Sequence, residues 1–421
     1  MGVINNKDIS LIINRALSLV DESIMEHGKV VGYIFYKMLD YTNEYFLQEL
    51  IEFTTIGILH DIGLFKSPDS KTIHAEETTN VWRHSIYGYL FLRYLSPLGD
   101  KSEIVLYHHL DYQKYQLIPS KYIEVAEYLA FADKLDMYMR SENENKDAEL
   151  FAKQSGTDFS QRAKELFVRA EKKYNILQKI RNGEHTKELG ELLSKKLMNE
   201  EQKRKYLQML IYTIDFRSEH TVLHSLATTT FAMEIARLMH LSSQDMYYIY
   251  YGALLHDIGK LATPTEILEA PRRLTDEEMK IMQKHVSDSE KILRGIVDEN
   301  VVEIAIRHHE KLDGSGYHRG LMGNKLTVPQ RIVAVADIIS ALYGKRSYKD
   351  EFPIEKIKEI LMSDCENRKL CPMVVGVAVR NMNTLIRNFE KKKEDTMGKY
   401  MLIKQQYEEI YQKFKIYEKE L

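Results

Sequence analysis

The sequence predicts an all-α protein with at least two domains, and three observations support this. The chain has only 20 glycines and 8 prolines among its 421 residues, too few for a turn-dense β fold. Apolar residues recur at three- and four-residue spacing, as in residues 11–20 and 231–239, which is typical of amphipathic helices in a bundle. The length is roughly two to three times that of an ordinary domain.

The charge balance excludes one class of partner. Lys and Arg total 59 and Asp and Glu total 62, giving a formal net charge of −3. A protein that binds duplex nucleic acid by neutralising phosphates needs a strong positive excess, so no duplex partner is expected. A local phosphate-binding pocket remains compatible with this balance.

Cysteine content and hydropathy predict the compartment. The two cysteines, Cys365 and Cys371, supply neither a disulfide framework nor a four-thiolate zinc site, which fits a cytoplasmic protein. No run approaches the ~18 apolar residues of a transmembrane helix, so membrane insertion is not expected.

Two segments lie outside the predicted cores. Residues 141–205 are rich in charge and are predicted to form a helical linker. Residues 389–421 are predicted to form an amphipathic C-terminal helix. Two interpretations of this helix stay open: it packs back on its own domain, or it joins two chains in a homodimer. Its apolar stripe follows a heptad spacing: Tyr400, Ile403, Tyr407, Ile410, Phe414, Tyr417 and Leu421.

Histidines form an internal repeat. Ten of the 15 histidines recur in the same order in the two halves, offset by 196 to 204 residues, and each half adds two aspartates. Both His-Asp pairs continue as HDIG. The second-half set is His224, His256, Asp257, His285, His308, His309 and Asp337. The first-half set is His27, His60, Asp61, His84, His108, His109 and Asp133.

These residue types predict metal binding. Neutral imidazole and carboxylate are ligands for Fe, Mn, Zn and similar divalent ions, and an aspartate between two ions can bridge them. Five histidines and two aspartates suit two ions with positions left for water and substrate. For the first half an alternative stays open, in which a duplicated core keeps its histidines only as hydrogen-bonding residues.

The second half resembles the HD-GYP branch of the HD metal-dependent phosphohydrolase superfamily. The matching stretches are HTVLHSLATTTFAMEIARLM, LLHDIGKLATPTEIL, HHEKLDGSGYHRGL and VPQRIVAVADIISALYGKRSYK, within residues 206–388. The resemblance implies an all-helical catalytic domain that hydrolyses cyclic di-GMP or cyclic GMP-AMP to a linear dinucleotide or to mononucleotides.

The resemblance also implies roles for single residues. The second-half histidines and aspartates would hold two divalent ions, with Asp257 bridging them. Lys260 at the end of HDIGK and Arg346 in KRSYK would contact the substrate phosphates and, with Asp257, serve catalysis. The substrate-facing loop would contribute Asp313, Gly314, Gly316 and Tyr317.

Two positions depart from the family pattern. The Gly-Tyr-Pro triplet is Gly316-Tyr317-His318 here, so the proline that would rigidify the loop is missing. Some members carry a glutamate for a third metal four residues before the first ligand histidine. His220 occupies that position, so two ions are expected in this domain, and a third ion with His220 as its ligand stays open as an alternative.

The first half resembles the HD domain that precedes HD-GYP domains in tandem proteins. Its ligand set is complete, but Leu64 stands where the second half has Lys260, and no Gly-Ser-Gly-Tyr loop follows His109. Three interpretations stay open: a metal-bound regulatory domain, a second catalytic site, and a folded pseudo-enzyme core.

The predicted organisation is therefore two tandem HD-type bundles. Residues 1–140 form the degenerate HD domain, 141–205 the linker, 206–388 the catalytic domain and 389–421 the terminal helix. The predicted function is a metal-dependent cyclic-dinucleotide phosphodiesterase. The alternatives are a low-turnover cyclic-dinucleotide receptor and an HD phosphohydrolase acting on another nucleotide.

Overall fold

The computed structural model describes residue 4 and residues 6–66, 81–140, 148–215, 222–344 and 352–419. Within these residues all regular structure is helical apart from one isolated bridge between Asp313 and Met322, so the predicted all-α class is confirmed. The α-helices are α1 (Asn6–Ser18), α2 (Glu22–Thr42), α3 (Leu47–Ile58), α4 (Val81–Leu95), α5 (Glu103–Tyr107), α6 (Ile123–Arg140), α7 (Ala148–Gln154), α8 (Gln161–Tyr174), α9 (Ile176–Arg181), α10 (Glu184–Ser194), α11 (Glu200–Asp215), α12 (Val222–Leu238), α13 (Ser243–Leu255), α14 (Thr265–Leu268), α15 (Asp276–Leu293), α16 (Glu299–Ile306), α17 (Val328–Tyr343), α18 (Ile354–Glu366), α19 (Pro372–Arg380) and α20 (Met382–Lys419).

The chain divides into two compact units. One consists of Met1–Val20 and Leu210–Met401, and we call it the C-terminal unit; the other consists of Asp21–Met209 and Leu402–Leu421, and we call it the N-terminal unit. This grouping differs at both ends of the chain from the linear order of domains that the sequence suggested, because each terminus joins the unit built mainly from the other half.

Helix α1 shows how the first residues join the C-terminal unit. The guanidinium of Arg15 donates hydrogen bonds to three carbonyl oxygens at the end of α15, those of Lys291 at 3.3 Å, Ile292 at 3.4 Å and Arg294 at 2.9 Å. The last carbonyls of a helix lack partners within the helix, and a cation there also interacts favourably with the helix dipole. Arg15 therefore caps the helix that carries His285.

Local sequence fixes where the helices of the C-terminal unit begin. Thr275 accepts a hydrogen bond from the backbone N–H of Glu278, whose carboxylate accepts from the N–H of Thr275 in return, a capping box at the start of α15. Asp298 caps α16 by accepting from the N–H of Asn300 at 2.8 Å. These caps set the register of the helices that present the site histidines.

The core of the C-terminal unit lies between α12, α13, α17, α19 and α20. Phe231 of α12 and Phe389 of α20 are buried with their ring centroids 5.5 Å apart. Burying a side chain of this size contributes about 1.5–3 kcal/mol. The apolar faces therefore hold α12 and α17, which carry the first and last predicted metal ligands, at fixed positions.

The segment predicted as a linker, residues 141–205, is helical where it is described and packs within the N-terminal unit. Glu188 of α10 pairs with Lys37 of α2 at 2.8 Å, and the hydroxyl of Tyr174 donates to Asp40 at 2.7 Å. Phe167 of α8 is fully buried. These helices therefore extend the first core rather than bridging two separate ones.

The C-terminal helix packs against its own chain. Ile403 and Phe414 are buried, the Phe414 ring lies 4.6 Å from that of Trp82, and Tyr407 stacks on Tyr87 at 4.2 Å. This packing lies within the N-terminal unit, so the end of the helix packs on its own chain but not on the domain that precedes it, whereas the first interpretation expected packing on that domain. The side chains of Tyr417 and Leu421 lie outside the description.

Across the residues described, no helix combines the length and the apolar character that a membrane crossing requires.

Candidate metal centres

Seven side chains of the second-half repeat converge in the C-terminal unit. His224 comes from α12, His256 and Asp257 follow the end of α13, and His285 lies on α15. His308 and His309 follow α16, and Asp337 lies on α17. Six of the seven form two groups whose donor atoms all lie within 4.8 Å of one another: His224, His256 and Asp257 in the first, and His285, His308 and His309 in the second.

The two oxygens of Asp257 face different groups. Oδ2 lies 3.3 Å from Nε2 of His224 and 3.1 Å from Nε2 of His256. Oδ1 lies 3.4 Å from Nε2 of His285 and 3.9 Å from that of His308. A carboxylate placed this way can give one oxygen to each of two ions.

Asp337 is divided in the same way. Its Oδ1 lies 3.1 Å from Nε2 of His224 and 3.7 Å from that of His256, while Oδ2 lies 3.6 Å from Nδ1 of His309. The two aspartates thus span both groups.

The ring nitrogens of the histidines are divided between the backbone and the site. A carbonyl oxygen can only accept, so each Nδ1 that contacts one carries the proton and leaves Nε2 as a metal ligand. The Nδ1 donors and their acceptor carbonyls, each three residues earlier, are His256 to Ala253 at 2.7 Å, His285 to Met282 at 2.6 Å and His308 to Ala305 at 2.6 Å.

His224 is oriented by a side chain. The hydroxyl of Ser340 donates to the carbonyl oxygen of His224 at 3.1 Å, so its oxygen is left to accept from Nδ1 of the same residue at 2.9 Å. This again turns Nε2 toward the two aspartates.

One buried ligand atom of the site, Oδ1 of Asp257, has no hydrogen-bond partner among the described residues. Such orphaned atoms are costly and uncommon in native proteins unless water or an ion satisfies them. Donor type, grouping and this orphaned oxygen together fit a pair of divalent ions.

In the first group, neighbouring charges shift the pKa values of Asp257 and His256 in the direction opposite to the effect of burial. Burial favours the neutral form of Asp257, but His256 and Lys260 hold the pKa of its carboxyl well below the ordinary value. Burial disfavours a charged His256, yet Asp257 and Asp337 raise its pKa to about 10. In the second group, burial lowers the pKa of His285 to about 4 and of His309 to about 3, so both are neutral at pH 7.

The glycine of HDIG allows α15 to approach the His-Asp pair. A Cβ added to Gly259 would lie 2.0 Å from the carbonyl oxygen of His285, which no side chain tolerates. The same glycine N–H donates to Ser289 at 2.9 Å. Gly63 in the first half would meet the carbonyl of His84 at the same 2.0 Å, so the motif serves one packing purpose in both halves.

Lys260 reaches the site directly. Its Nζ lies 2.5 Å from Oδ2 of Asp257. The structure thus places the predicted phosphate-binding lysine beside the predicted bridging carboxylate.

The predicted substrate loop covers one edge of the site. The Tyr317 ring lies 4.5 Å from the ring of His309, and its N–H donates to the His309 carbonyl. Gly316 is required here, because a Cβ would lie 2.5 Å from the His309 carbonyl oxygen. The side chain of Asp313 accepts from the N–H of Ser315, and Gly314 has a φ of +80°.

A buried glutamate holds this loop where the family proline is absent. Glu310 accepts hydrogen bonds from the backbone N–H groups of Arg319 and Leu321, both at 2.7 Å. His318 faces Glu290 on α15 at 3.4 Å. The loop is therefore ordered by hydrogen bonds.

Two predicted positions, Arg346 and His220, lie outside the described residues. Their roles stay predictions.

The N-terminal unit repeats the arrangement. Its two donor groups are His27, His60 and Asp133 in one, and Asp61, His84, His108 and His109 in the other. Oδ2 of Asp61 lies 3.3 Å from Nε2 of His60, and Oδ1 lies 3.4 Å from that of His84. The first-half repeat thus also converges in two groups, although here Nε2 of His84 lies 2.7 Å from Nε2 of His109.

Three side chains in these centres were not predicted from the sequence to have a functional role. Ser340 and its first-half counterpart Asp136 orient the first histidine of each set, and Glu310 orders the loop. Ser340 and Asp136 share a signal, since each follows the last ligand aspartate by three residues, one helical turn away.

Comparison with known families identifies the class. Residues 191–363 match one HD domain family and residues 24–138 match a second HD domain family. The chain contains two HD domains and belongs to the HD-domain proteins.

The similarity extends to characterised relatives. The chain is 28% identical over 398 residues to 3'3'-cGAMP-specific phosphodiesterase 1 of Vibrio cholerae serotype O1, covering 90% of this chain and 92% of that protein. It is 35% identical over 189 residues to the cyclic di-GMP phosphodiesterase response regulator RpfG of Xanthomonas campestris pv. campestris, covering 43% of this chain and half of that relative.

One solved structure shares the fold over most of the chain. A cyclic GMP-AMP specific phosphodiesterase of V. cholerae superposes with a TM-score of 0.56 at 18% identity, covering 90% of this chain and 98% of that one.

Proposed function

We propose that this protein is a metal-dependent phosphodiesterase that hydrolyses cyclic dinucleotides, and that its active site is the C-terminal centre. The observation that carries the proposal is Asp257, whose two oxygens face two separate histidine groups while Lys260 stands beside it. The relatives named above act on cyclic GMP-AMP and cyclic di-GMP, which indicates the substrate class.

The ligands of the first ion would be His224, His256 and Asp257, and those of the second would be His285, His308 and His309 with the other oxygen of Asp257. Asp337 would complete the set. Two bound divalent ions supply a water that is nucleophilic near neutral pH and polarise the phosphate oxygens. Histidine and carboxylate donors accept Fe, Mn and similar ions, so availability decides which is bound.

The protein contributes fixed charge and exclusion of water. The ammonium of Lys260 stands where negative charge grows on the phosphate during attack, and preorganised charge of this kind is a large contribution to catalysis. Arg346 is proposed to add a second cation. Every ligand is at least mostly buried, so these electrostatic effects act in a medium of low polarity.

The loop from Asp313 to Tyr317 is proposed to hold the nucleotide. The Tyr317 ring lies against His309, which joins the loop to the metal ligands. A loop fixed by Glu310 before substrate arrives loses less conformational entropy on binding than a mobile one.

The near-neutral charge of the chain fits this substrate. A cyclic dinucleotide carries two phosphates, and two ions with two placed cations are enough to neutralise them. No basic surface is needed. Cys365 and Cys371 are both free thiols, in keeping with a proposed site of action in the reducing cytoplasm.

A product assay tests the proposal. Full-length protein loaded anaerobically with Mn or Fe is incubated with cyclic di-GMP or cyclic GMP-AMP, and the products are separated by chromatography. We expect a linear dinucleotide or mononucleotides from at least one substrate. Binding without turnover would support the receptor, and hydrolysis of mononucleotides alone would support another HD hydrolase.

A further inference from the structure

The two centres share one set of residue types but differ in the partners of their histidines, and in the N-terminal one Nε2 of His84 lies 2.7 Å from Nε2 of His109. We propose that His27, His60, Asp61, His84, His108, His109 and Asp133 hold a second pair of divalent ions, and that Asp136 makes this pair harder to remove than the pair in the C-terminal centre. The ions would support the fold of the N-terminal unit instead of cleaving the dinucleotide.

The donor atoms are prepared for metal. Nδ1 of His60 donates to the carbonyl of Gly57 at 2.8 Å, and Nδ1 of His108 donates to that of Val105 at 2.6 Å. The Nε2 atoms of both histidines are then buried with no hydrogen-bond partner in the described part of the chain. Two orphaned imidazole nitrogens in one buried cluster are the pattern of ligands awaiting ions.

Both aspartates divide their oxygens between the two groups. Asp61 does so as described above. Oδ1 of Asp133 lies 3.0 Å from Nε2 of His27, and Oδ2 lies 4.0 Å from Nδ1 of His109. A core that kept its histidines only for hydrogen bonds would have no need to preserve this division in the same form in both halves.

The partner of the first histidine is the main difference. Nδ1 of His27 lies 2.6 Å from Oδ2 of Asp136, whereas Nδ1 of His224 lies 2.9 Å from the Ser340 hydroxyl. A carboxylate accepts the Nδ1 proton more strongly than a hydroxyl does and makes Nε2 a better electron donor to a metal. Arg140 also donates to this oxygen of Asp136, at 2.5 Å, and fixes the carboxylate in place.

The N-terminal centre is also more enclosed. The side chain of His27 is 7% exposed and that of His224 is 16% exposed. The side chain of His109 is 15% exposed and that of His309 is 25% exposed. A chelator or an exchanging ion therefore has a narrower approach to the N-terminal pair.

The residue beside the ligands argues against dinucleotide hydrolysis at this centre. Leu64, fully buried, occupies the position of Lys260. An apolar side chain there cannot offset phosphate charge. The proposal therefore separates two uses of one ligand set, catalysis in one half and ion retention in the other.

Metal counting on the full chain tests this. Protein saturated with Mn is dialysed against a chelator, and the remaining metal is followed by elemental analysis. We expect two pairs of ions at saturation and a biphasic loss. The Asp257→Ala variant should lack the fast phase and the Asp61→Ala variant the slow one.

Exchanging the two orienting residues tests the cause. Asp136→Ser should speed loss of the slow pair by about 10- to 100-fold, the usual effect of removing such a partner. Ser340→Asp should slow loss of the fast pair. Asp136→Asn retains the shape of the side chain but removes its charge. If Asp136→Asn speeds metal loss as Asp136→Ser does, and its circular dichroism spectrum is unchanged, the effect comes from the lost charge.

Three results would overturn the proposal. In the first, the saturated protein binds only one pair of ions, and Asp257→Ala abolishes that binding. In the second, the N-terminal pair is lost to the chelator before the C-terminal pair. In the third, Asp136→Asn loses its N-terminal ions no faster than the wild type. None of these measurements depends on catalysis, so their outcome is independent of the test of the proposed phosphodiesterase activity.

Discussion

The ammonium nitrogen of Lys260 lies 2.5 Å from Oδ2 of Asp257, the oxygen that also faces His224 and His256. The two residues are three apart, with Lys260 in the short 3-10 turn Ile258–Ala262 that follows the His-Asp pair. The turn thus holds the cation proposed to bind phosphate beside the carboxylate proposed to bridge the two ions, and the first half has Leu64 at the corresponding place.

Replacing Lys260 with Ala should lower turnover much more than metal content. Loss of one preorganised charge at a transition state typically costs about 100-fold in rate, or about 2.7 kcal/mol. Steady-state kinetics and elemental analysis on the same preparation check this. Lys356→Ala, which removes an exposed lysine of α18, serves as the control. Equal loss of metal and activity would give Lys260 a structural role instead.

Metal loading of the C-terminal centre should release protons. Asp257 and Asp337 raise the pKa of His256 to about 10 despite burial, so the metal-free protein holds this imidazole charged at pH 7. Its Nδ1–H is donated to Ala253, and the proton that leaves on metal binding is therefore the one on Nε2.

The sign of the pH dependence follows. The raised pKa stabilises the metal-free fold fully below the unfolded value of about 6.5, and this contribution is lost as pH rises through about 10. Metal affinity should therefore increase with pH across that window, by about tenfold per unit for each proton released. Calorimetric Mn titrations in two buffers of different ionisation enthalpy measure the protons. Asp257→Ala is the control, and loading without proton release contradicts the prediction.

Glu310 should control substrate affinity through the loop. Glu310→Ala leaves the N–H groups of Arg319 and Leu321 without their acceptor, and a charged hydrogen bond of this kind contributes about 1.5–3 kcal/mol. We expect KM to rise about 10-fold or more with a smaller change in kcat. Glu310→Gln keeps one acceptor oxygen, so its KM should lie between those of the wild type and the alanine variant. An unchanged KM in the alanine variant would show that the hydrogen bonds of Glu310 to the loop do not affect substrate affinity.

Arg15 should stabilise the unit that contains the proposed active site. Arg15→Ala removes the donors to three terminal carbonyls of α15, in a partly exposed setting where the net effect is about 1 kcal/mol. Thermal unfolding should begin at a lower temperature, while kcat at 25 °C stays unchanged. Arg237→Ala removes an exposed arginine of α12 and is the matched control. A melting curve identical to that of the wild type would show that Arg15 of α1 does not stabilise the C-terminal unit.

The sequence predicted the ligand sets because they repeat. Matching His-Asp pairs and matching spacings identify both centres without any structure, and the structure brings each set together in two groups. The helical class followed from apolar spacing. The capping boxes at α15 and α17 are local as well, which is why the boundaries of those helices carry sequence signatures.

What the sequence did not predict depends on distant contacts. Arg15 caps a helix that ends about 280 positions later, and a lone arginine in an amphipathic helix carries no mark of such a partner. The same holds for Tyr87 stacking on Tyr407. The placement of each terminus in the unit of the other half therefore has no local signal.

We propose that the centre around Asp257, and not the one around Asp61, hydrolyses cyclic dinucleotides. The most direct test of this assignment measures product formation from cyclic di-GMP and cyclic GMP-AMP by Mn-loaded wild type, Asp257→Ala and Asp61→Ala at equal protein concentration. We predict that Asp257→Ala abolishes turnover while Asp61→Ala, if folded by circular dichroism, retains the chemistry. Full activity in Asp257→Ala, or loss of activity in a folded Asp61→Ala variant that keeps its C-terminal ions, would show that this assignment of the catalytic centre is wrong.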